Sequence, residues 1–225
     1  MIIGFALIGL IVGGLINLLA DTWPDRKPLA PIGSLFRWPI PIRNLMVEVG
    51  TAIMFAFIYS QPDFADPIKL ILAGFHTAVL ILVTITDLEH RLILNNVMFP
   101  AIAVAALTSW WWFWHEYWYV AFIGGGIGFI FFWLAAWLGQ MILKRRALGA
   151  GDMKLAAYVG LITGFPGIVT ALVITILAGG LISILLLLLR VVNLRSGIPY
   201  GPFLVIGGFV TMLWGAAITT GFFFR

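Results

Sequence analysis

The stretch from Gly167 to Leu189, GIVTALVITILAGGLISILLLLL, carries no charged residue and is apolar around its whole circumference. A helix of that kind has no face to offer water. At ~1.5 Å per residue it is long enough to cross the ~30 Å hydrocarbon layer of a bilayer. The pattern recurs along the chain. Spans are expected at approximately Ile2–Ala20, Asn44–Ser60, Ile68–Thr86, Asn96–Phe113, Tyr119–Leu143, Lys154–Gly164, Gly167–Val191 and Gly201–Phe223. The sixth is too short to cross unaided and is parted from the seventh by the turn Phe165-Pro166-Gly167. The fold class is thus all-α. It is a polytopic integral membrane protein of about eight helices, one of them short, in a single membrane domain over residues 1–225.

Composition agrees with this class. Hydrophobic residues make up 62% of the chain and charged residues 10%, where soluble domains average roughly 45–50% and about 25%. Cysteine is absent, which excludes disulfides, thiolate zinc sites and cysteine nucleophiles. The start, MIIGFALIGLIVGGLINLLA, has no basic n-region and reads as a first membrane helix, not a removed signal peptide. The net charge of +4 reports orientation and does not point to nucleic acid, since no basic stripe with interleaved aromatics is present.

Basic residues set the expected topology. If the loop Asp21–Arg43 is cytoplasmic, every one of the 13 lysines and arginines except Lys69 and Arg225 falls on that side. Both termini are then extracytoplasmic. Asp87, closing the run LILAGFHTAVLILVTIT, and Asp152, within GAGDMKLAAYVG, share the cytoplasmic face. The aromatic run Ser109–Tyr119 reads as a belt at the outer interface. Gly9/Gly13, Gly124/Gly128 and Gly179/Gly180 offer small faces for close helix packing. His76 reads as a hydrogen-bonded core histidine.

The two acids carry the chemistry. A carboxylate at the border of a membrane helix is costly to keep ionised, and is a functional candidate by default. Bland readings exist for each. Asp87 could pair with Arg91 one turn on, and Asp152 could serve the first turn of its helix. Glycines 149 and 151, however, clear side chains from around Asp152. Two carboxylates within hydrogen-bonding range share one proton near neutrality. The ionised member can then take a proton from an attacking water while the protonated one donates to the carbonyl oxygen.

Five segments, in order, resemble the type IV prepilin peptidases. TDLEHRLILNN (Thr86–Asn96) and GAGDMKLAAYVG (Gly149–Gly160) are similar to that family's two aspartate motifs. GGLINLL (Gly13–Leu19), PIRNLMVE (Pro41–Glu48) and GIPYGPFL (Gly197–Leu204) are similar to segments of its first, second and last helices. The resemblance implies an aspartyl endopeptidase of the inner, cytoplasmic membrane with its active site facing the cytoplasm. Its substrate would be a prepilin or pseudopilin, losing a short basic leader ahead of an N-terminal hydrophobic helix. Asp87 and Asp152 would be the catalytic pair. Gly149, Gly151, Arg91, Lys154, Pro199 and Pro202 would shape the site or meet substrate.

In that family the first-loop region is associated with N-methylation by S-adenosylmethionine, and Asn17, Arg43 and Glu48 match its pattern there. Proteolysis itself needs no cofactor. The cytoplasmic tetracysteine zinc site of many members is not expected in a chain without cysteine, so no metal is assigned. Leu94 stands where the family commonly has proline. Two other readings stay open: an intramembrane protease of presenilin or signal-peptide-peptidase type, where Thr86 replaces the usual tyrosine, and a proton-coupled carrier.

Overall fold

The computed structural model describes residues 2–24, 41–113, 117–143, 149–190 and 199–223. Among these, the chain forms seven α-helices and one short 3-10 turn, with no strand. They are α1 (Ile2–Thr22), α2 (Ile42–Tyr59), α3 (Pro67–His90), α4 (Asn95–Trp112), α5 (Tyr119–Leu143), α6 (Ala150–Leu188) and α7 (Gly201–Phe223). Five of them (α1, α2, α3, α5 and α6) are long and apolar enough to cross a membrane. The chain divides into two compact units, residues 1–94 and 95–225.

The first unit holds α1 to α3. Lipid tails are as apolar as leucine, so helices in a bilayer associate by close packing, which small residues permit. Gly9 and Gly13 do this for α1. A Cβ on Gly9 would lie 2.7 Å from the Ala52 Cα, and one on Gly13 2.6 Å from the Glu48 Cα. Helix α3 is the most buried of the three and is sharply delimited. Asp66 caps its start, accepting from the backbone N–H of Ile68 (2.8 Å) and Lys69 (3.0 Å), and Pro67 fills the first position, where no N–H is needed. Its end is set by Arg91, which adopts a left-handed conformation (φ 54°, ψ 38°).

In the second unit α6 packs against α4, α5 and α7. Gly124 and Gly128 of α5 face Gly160 and Ala156 of α6, where a Cβ on Gly124 would collide with the Gly160 carbonyl. Gly207 of α7 meets the Ala171 carbonyl in the same way. Leu155, Ala156, Tyr158 and Val159 are fully buried there. The helical path of α6 breaks at Gly164 (φ 63°, ψ −176°) and Phe165, beside the turn expected from Phe165-Pro166-Gly167. The kink divides α6 into two helical halves, one on either side of Gly164-Phe165.

Several helix ends run past the apolar ruler at charged residues. Helix α1 runs on through Asp21 to Thr22, α3 through Asp87 to His90, and α6 begins at Ala150, ahead of Lys154. Hydropathy stops where charge begins, whereas the helical backbone continues until a residue breaks its φ/ψ. Both aspartates consequently sit inside terminal helical turns, and Asp21 belongs to α1 instead of the first loop. The rest of that loop (residues 25–40), the basic cluster Lys144-Arg145-Arg146, Arg195 and Gly197 lie outside the described residues.

Candidate active site

Asp87 occupies the last turn of α3 and is buried, as is Thr86 before it. The Arg91 N–H donates to the Asp87 carbonyl (3.0 Å) and the Leu92 N–H to that of Thr86 (3.4 Å). Arg91 is exposed and its left-handed backbone closes the helix, a conformation uncommon for a non-glycine residue but frequent at helix ends.

Around this end of the unit lies a polar network that gathers three helix termini. Arg43, in the first turn of α2, grips Glu89 of α3 with both arms of its guanidinium, Nε to Oε1 and Nη2 to Oε2, each at 2.7 Å. Its Nη1 donates to Asp21 of α1 (2.8 Å), to the Asn44 side chain (3.0 Å) and to Asn17 Oδ1 (3.4 Å). The Asn17 amide in turn donates to the Asn44 carbonyl (3.1 Å) and to Glu48 Oε1 (3.3 Å). Asn17, Arg43 and Glu48, singled out in the sequence as one group, are thus one hydrogen-bonded cluster. Asp21, Asn44 and Glu89 complete it. None of those three stood out in the sequence, because Asp21 looked like loop and Glu89 like one charge among several.

The second acid is built differently. Gly149 precedes α6, and its N–H donates to Asp152 Oδ2 (3.0 Å) while the Asp152 N–H returns to the Gly149 carbonyl (3.2 Å). This reciprocal pair satisfies donors that an α-helix leaves open at its start. Asp152 is half-buried. Lys154, two residues on, reaches across to α4, where Nζ donates to Asn95 Oδ1 (2.6 Å) and sits 4.7 Å over the Phe99 ring. It ties two helix starts together.

Pro199 and Pro202 flank Tyr200 at the entry to α7, and all three are half-buried. The Tyr200 ring meets Phe132 and Phe203 edge-on, with centroids 5.9 and 6.0 Å apart, and burial pushes its phenol up from the usual range. Sequence reasoning passed over Tyr200, which only its position between the two prolines could have flagged. His76 is buried in α3, as expected of a core residue. Among the described residues no three His, Asp or Glu side chains cluster as a metal would require.

Comparison with known proteins gives this arrangement a family. Residues 74–184, which include both aspartates, match the type IV leader peptidase family. The chain is 26% identical to a prepilin leader peptidase/N-methyltransferase of Pseudomonas putida over 80% of its own length and 61% of the relative's. To proteins of the same name it is 29% identical in Aeromonas hydrophila (80% and 61%) and 30% in Dichelobacter nodosus (80% and 60%). The chain therefore spans about three fifths of the length of these relatives. No solved structure matches it. Residues 74–184 thus carry a domain of the type IV leader peptidase family.

Proposed function

We propose that this protein is a membrane aspartyl endopeptidase that removes the short basic leader of type IV prepilins or pseudopilins at the cytoplasmic face of the inner membrane. The observation that carries the reading is that one family segment, residues 74–184, holds both acids, each seated in the terminal turn of an apolar helix. Asp87 and Asp152 are the catalytic carboxylates. The ionised one takes a proton from water as the oxygen attacks the scissile carbonyl. The protonated one donates to the carbonyl oxygen. When the tetrahedral intermediate collapses, the C–N bond breaks and the leaving amine takes the proton.

The uneven distribution of the 13 basic residues supports an orientation with both termini outside and the acids inside. Counting the two halves of α6 separately supports eight helical stretches in one membrane domain. Gly149 leaves room at Asp152, and Pro199 and Pro202 interrupt regular backbone pairing at the entry to α7, exposing backbone groups there to pair with an extended substrate. An acid at a helix end suits cutting where a substrate helix enters the membrane. It suits cleavage at mid-membrane, or proton transport across it, far less.

A second reading adds N-methylation of the new N-terminus by S-adenosylmethionine and is favoured by the relatives' names. The cluster Asn17–Arg43–Glu48 does not fit as a ready-made site for that cofactor. All three guanidinium nitrogens of Arg43 and the Asn17 amide are already engaged within the protein.

The purified protein in lipid should cut a peptide with a basic leader, a glycine and a hydrophobic helix. Asp87→Asn and Asp152→Asn should each abolish cleavage. Activity surviving either substitution would remove the aspartyl mechanism. Weighing the product after incubation with S-adenosylmethionine decides the second reading by the presence or absence of a methyl group.

A further inference from the structure

We infer that Arg43 is a positioning residue for Asp87, acting through Glu89, an inference that rests on the peptidase reading. Asp87 and Glu89 are two apart on one helical turn, so at 100° per residue their side chains leave the axis on nearly opposite sides. Glu89 is on the partly exposed side and is held at both oxygens by the Arg43 fork. Asp87 is on the buried side. A two-point grip on Glu89 fixes the rotation of the last turn of α3 about its axis, and with it the direction in which the Asp87 carboxyl points. A single-point contact would leave that rotation free.

The grip overrides unfavourable local electrostatics. Asp21 and Glu89 stand at helix C-termini and Arg43 at a helix N-terminus, each at the end of the dipole that repels its charge. Three such placements meeting at one guanidinium make a local conflict resolved only by the pairing itself, which is where functional constraint is expected. Arg43 is in turn anchored by Asp21 and Asn17 of α1. The last turn of α3, which ends on the left-handed Arg91, is thereby referenced to two neighbouring helices.

The test uses full-length protein in lipid with the basic-leader peptide as substrate. Arg43→Lys keeps the charge but loses the fork, and should lower kcat about tenfold with KM changed less than about twofold; Arg43→Gln should lower it further, and Glu89→Gln comparably to Arg43→Lys. The double variant Arg43→Gln/Glu89→Gln should be no worse than Arg43→Gln alone, because both act through one contact. Wild-type kcat in Arg43→Lys, or multiplicative losses in the double variant, would overturn the inference. So would a loss confined to KM. Amide hydrogen exchange at residues 86–92, read without substrate, separates this from failure of the peptidase reading. Faster exchange in Arg43→Lys together with a wild type that cuts nothing keeps the clamp and rejects the peptidase. Unchanged exchange rejects the clamp.

Discussion

The indole N–H of Trp112 donates to the backbone carbonyl of Ile162 at 2.7 Å. In an unbroken helix that carbonyl would accept from the N–H four residues on, but position 166 is proline and has none. Trp112, together with Phe113 packed against Gly164, supplies from α4 what the break in α6 removes. Within the aromatic run Ser109–Tyr119, Trp112 is thus the residue bonded to α6. Trp112→Phe should leave the Ile162 carbonyl unsatisfied and cost about 1–3 kcal/mol. Thermal unfolding in one detergent should show the loss in Trp112→Phe but not in Trp111→Phe, whose side chain is exposed. Equal stability in the two would refute the assignment.

Gly124 and Gly126 make a paired test of α5. Nothing lies within 4 Å of a Cβ on Gly126, whereas one on Gly124 would strike the Gly160 carbonyl. Gly124→Ala should force α5 and α6 apart, lowering stability by about 1–3 kcal/mol and cleavage with it. Gly126→Ala should be neutral, or stabilising by up to ~1 kcal/mol from helix propensity. Circular-dichroism melting of both variants in lipid checks the contrast.

Asp152 has a structural duty as well as its proposed chemical one, and two substitutions separate them. Asparagine retains an oxygen able to accept from the Gly149 N–H, while alanine does not. Both variants should lose cleavage, but only Asp152→Ala should lose about 1 kcal/mol of stability. If Asp152→Asn melts well below wild type, its inactivity says nothing about catalysis and the capping account is wrong.

Metal independence is a separate expectation. Two carboxylates sharing a proton activate water without a Lewis acid, and the chain has no cysteine with which to build a thiolate site. Incubation with a strong chelator should leave the cleavage rate unchanged. Loss of activity restored by added zinc would contradict the two-acid chemistry.

How much of this was legible in the sequence depended on whether a signal is local. Apolar stretches located the helices, because a bilayer imposes length and composition on each one separately. The glycine faces of α1 and α5 were legible for the same reason, whereas Gly180, paired with Gly179 on paper, meets nothing within 4 Å. Asp87 and Asp152 stood out as expensive charges, and Asn17, Arg43 and Glu48 through family resemblance. Glu89, Asp21 and Asn95 were invisible, because each matters through a partner distant in sequence. The helix ends were misjudged by up to four residues, since polarity marks where apolar surface stops and not where backbone geometry changes. Trp112 needed both its own position and the missing N–H of Pro166, fifty residues away.

Lys154 and Asn95 repeat on the second unit the relation seen between Glu89 and Arg43. A residue two positions beyond the aspartate, pointing nearly the opposite way, is tied to a neighbouring helix. The Lys154–Asn95 bond joins the starts of α6 and α4, and the lysine ammonium also lies over the Phe99 ring. Because the bond is exposed, its contribution to stability should be small, about 0.5–1 kcal/mol after solvent screening. Its effect on cleavage should be larger, because it holds the turn that carries Asp152. Lys154→Met removes the donor and the charge over Phe99 while keeping an unbranched side chain, so it should lower kcat several-fold while the melting temperature barely moves. In a cycle with Asn95→Ala, the second substitution should cost little once the first is made. Independent, multiplicative effects on kcat would show that Lys154 acts on the reaction by a route other than Asn95.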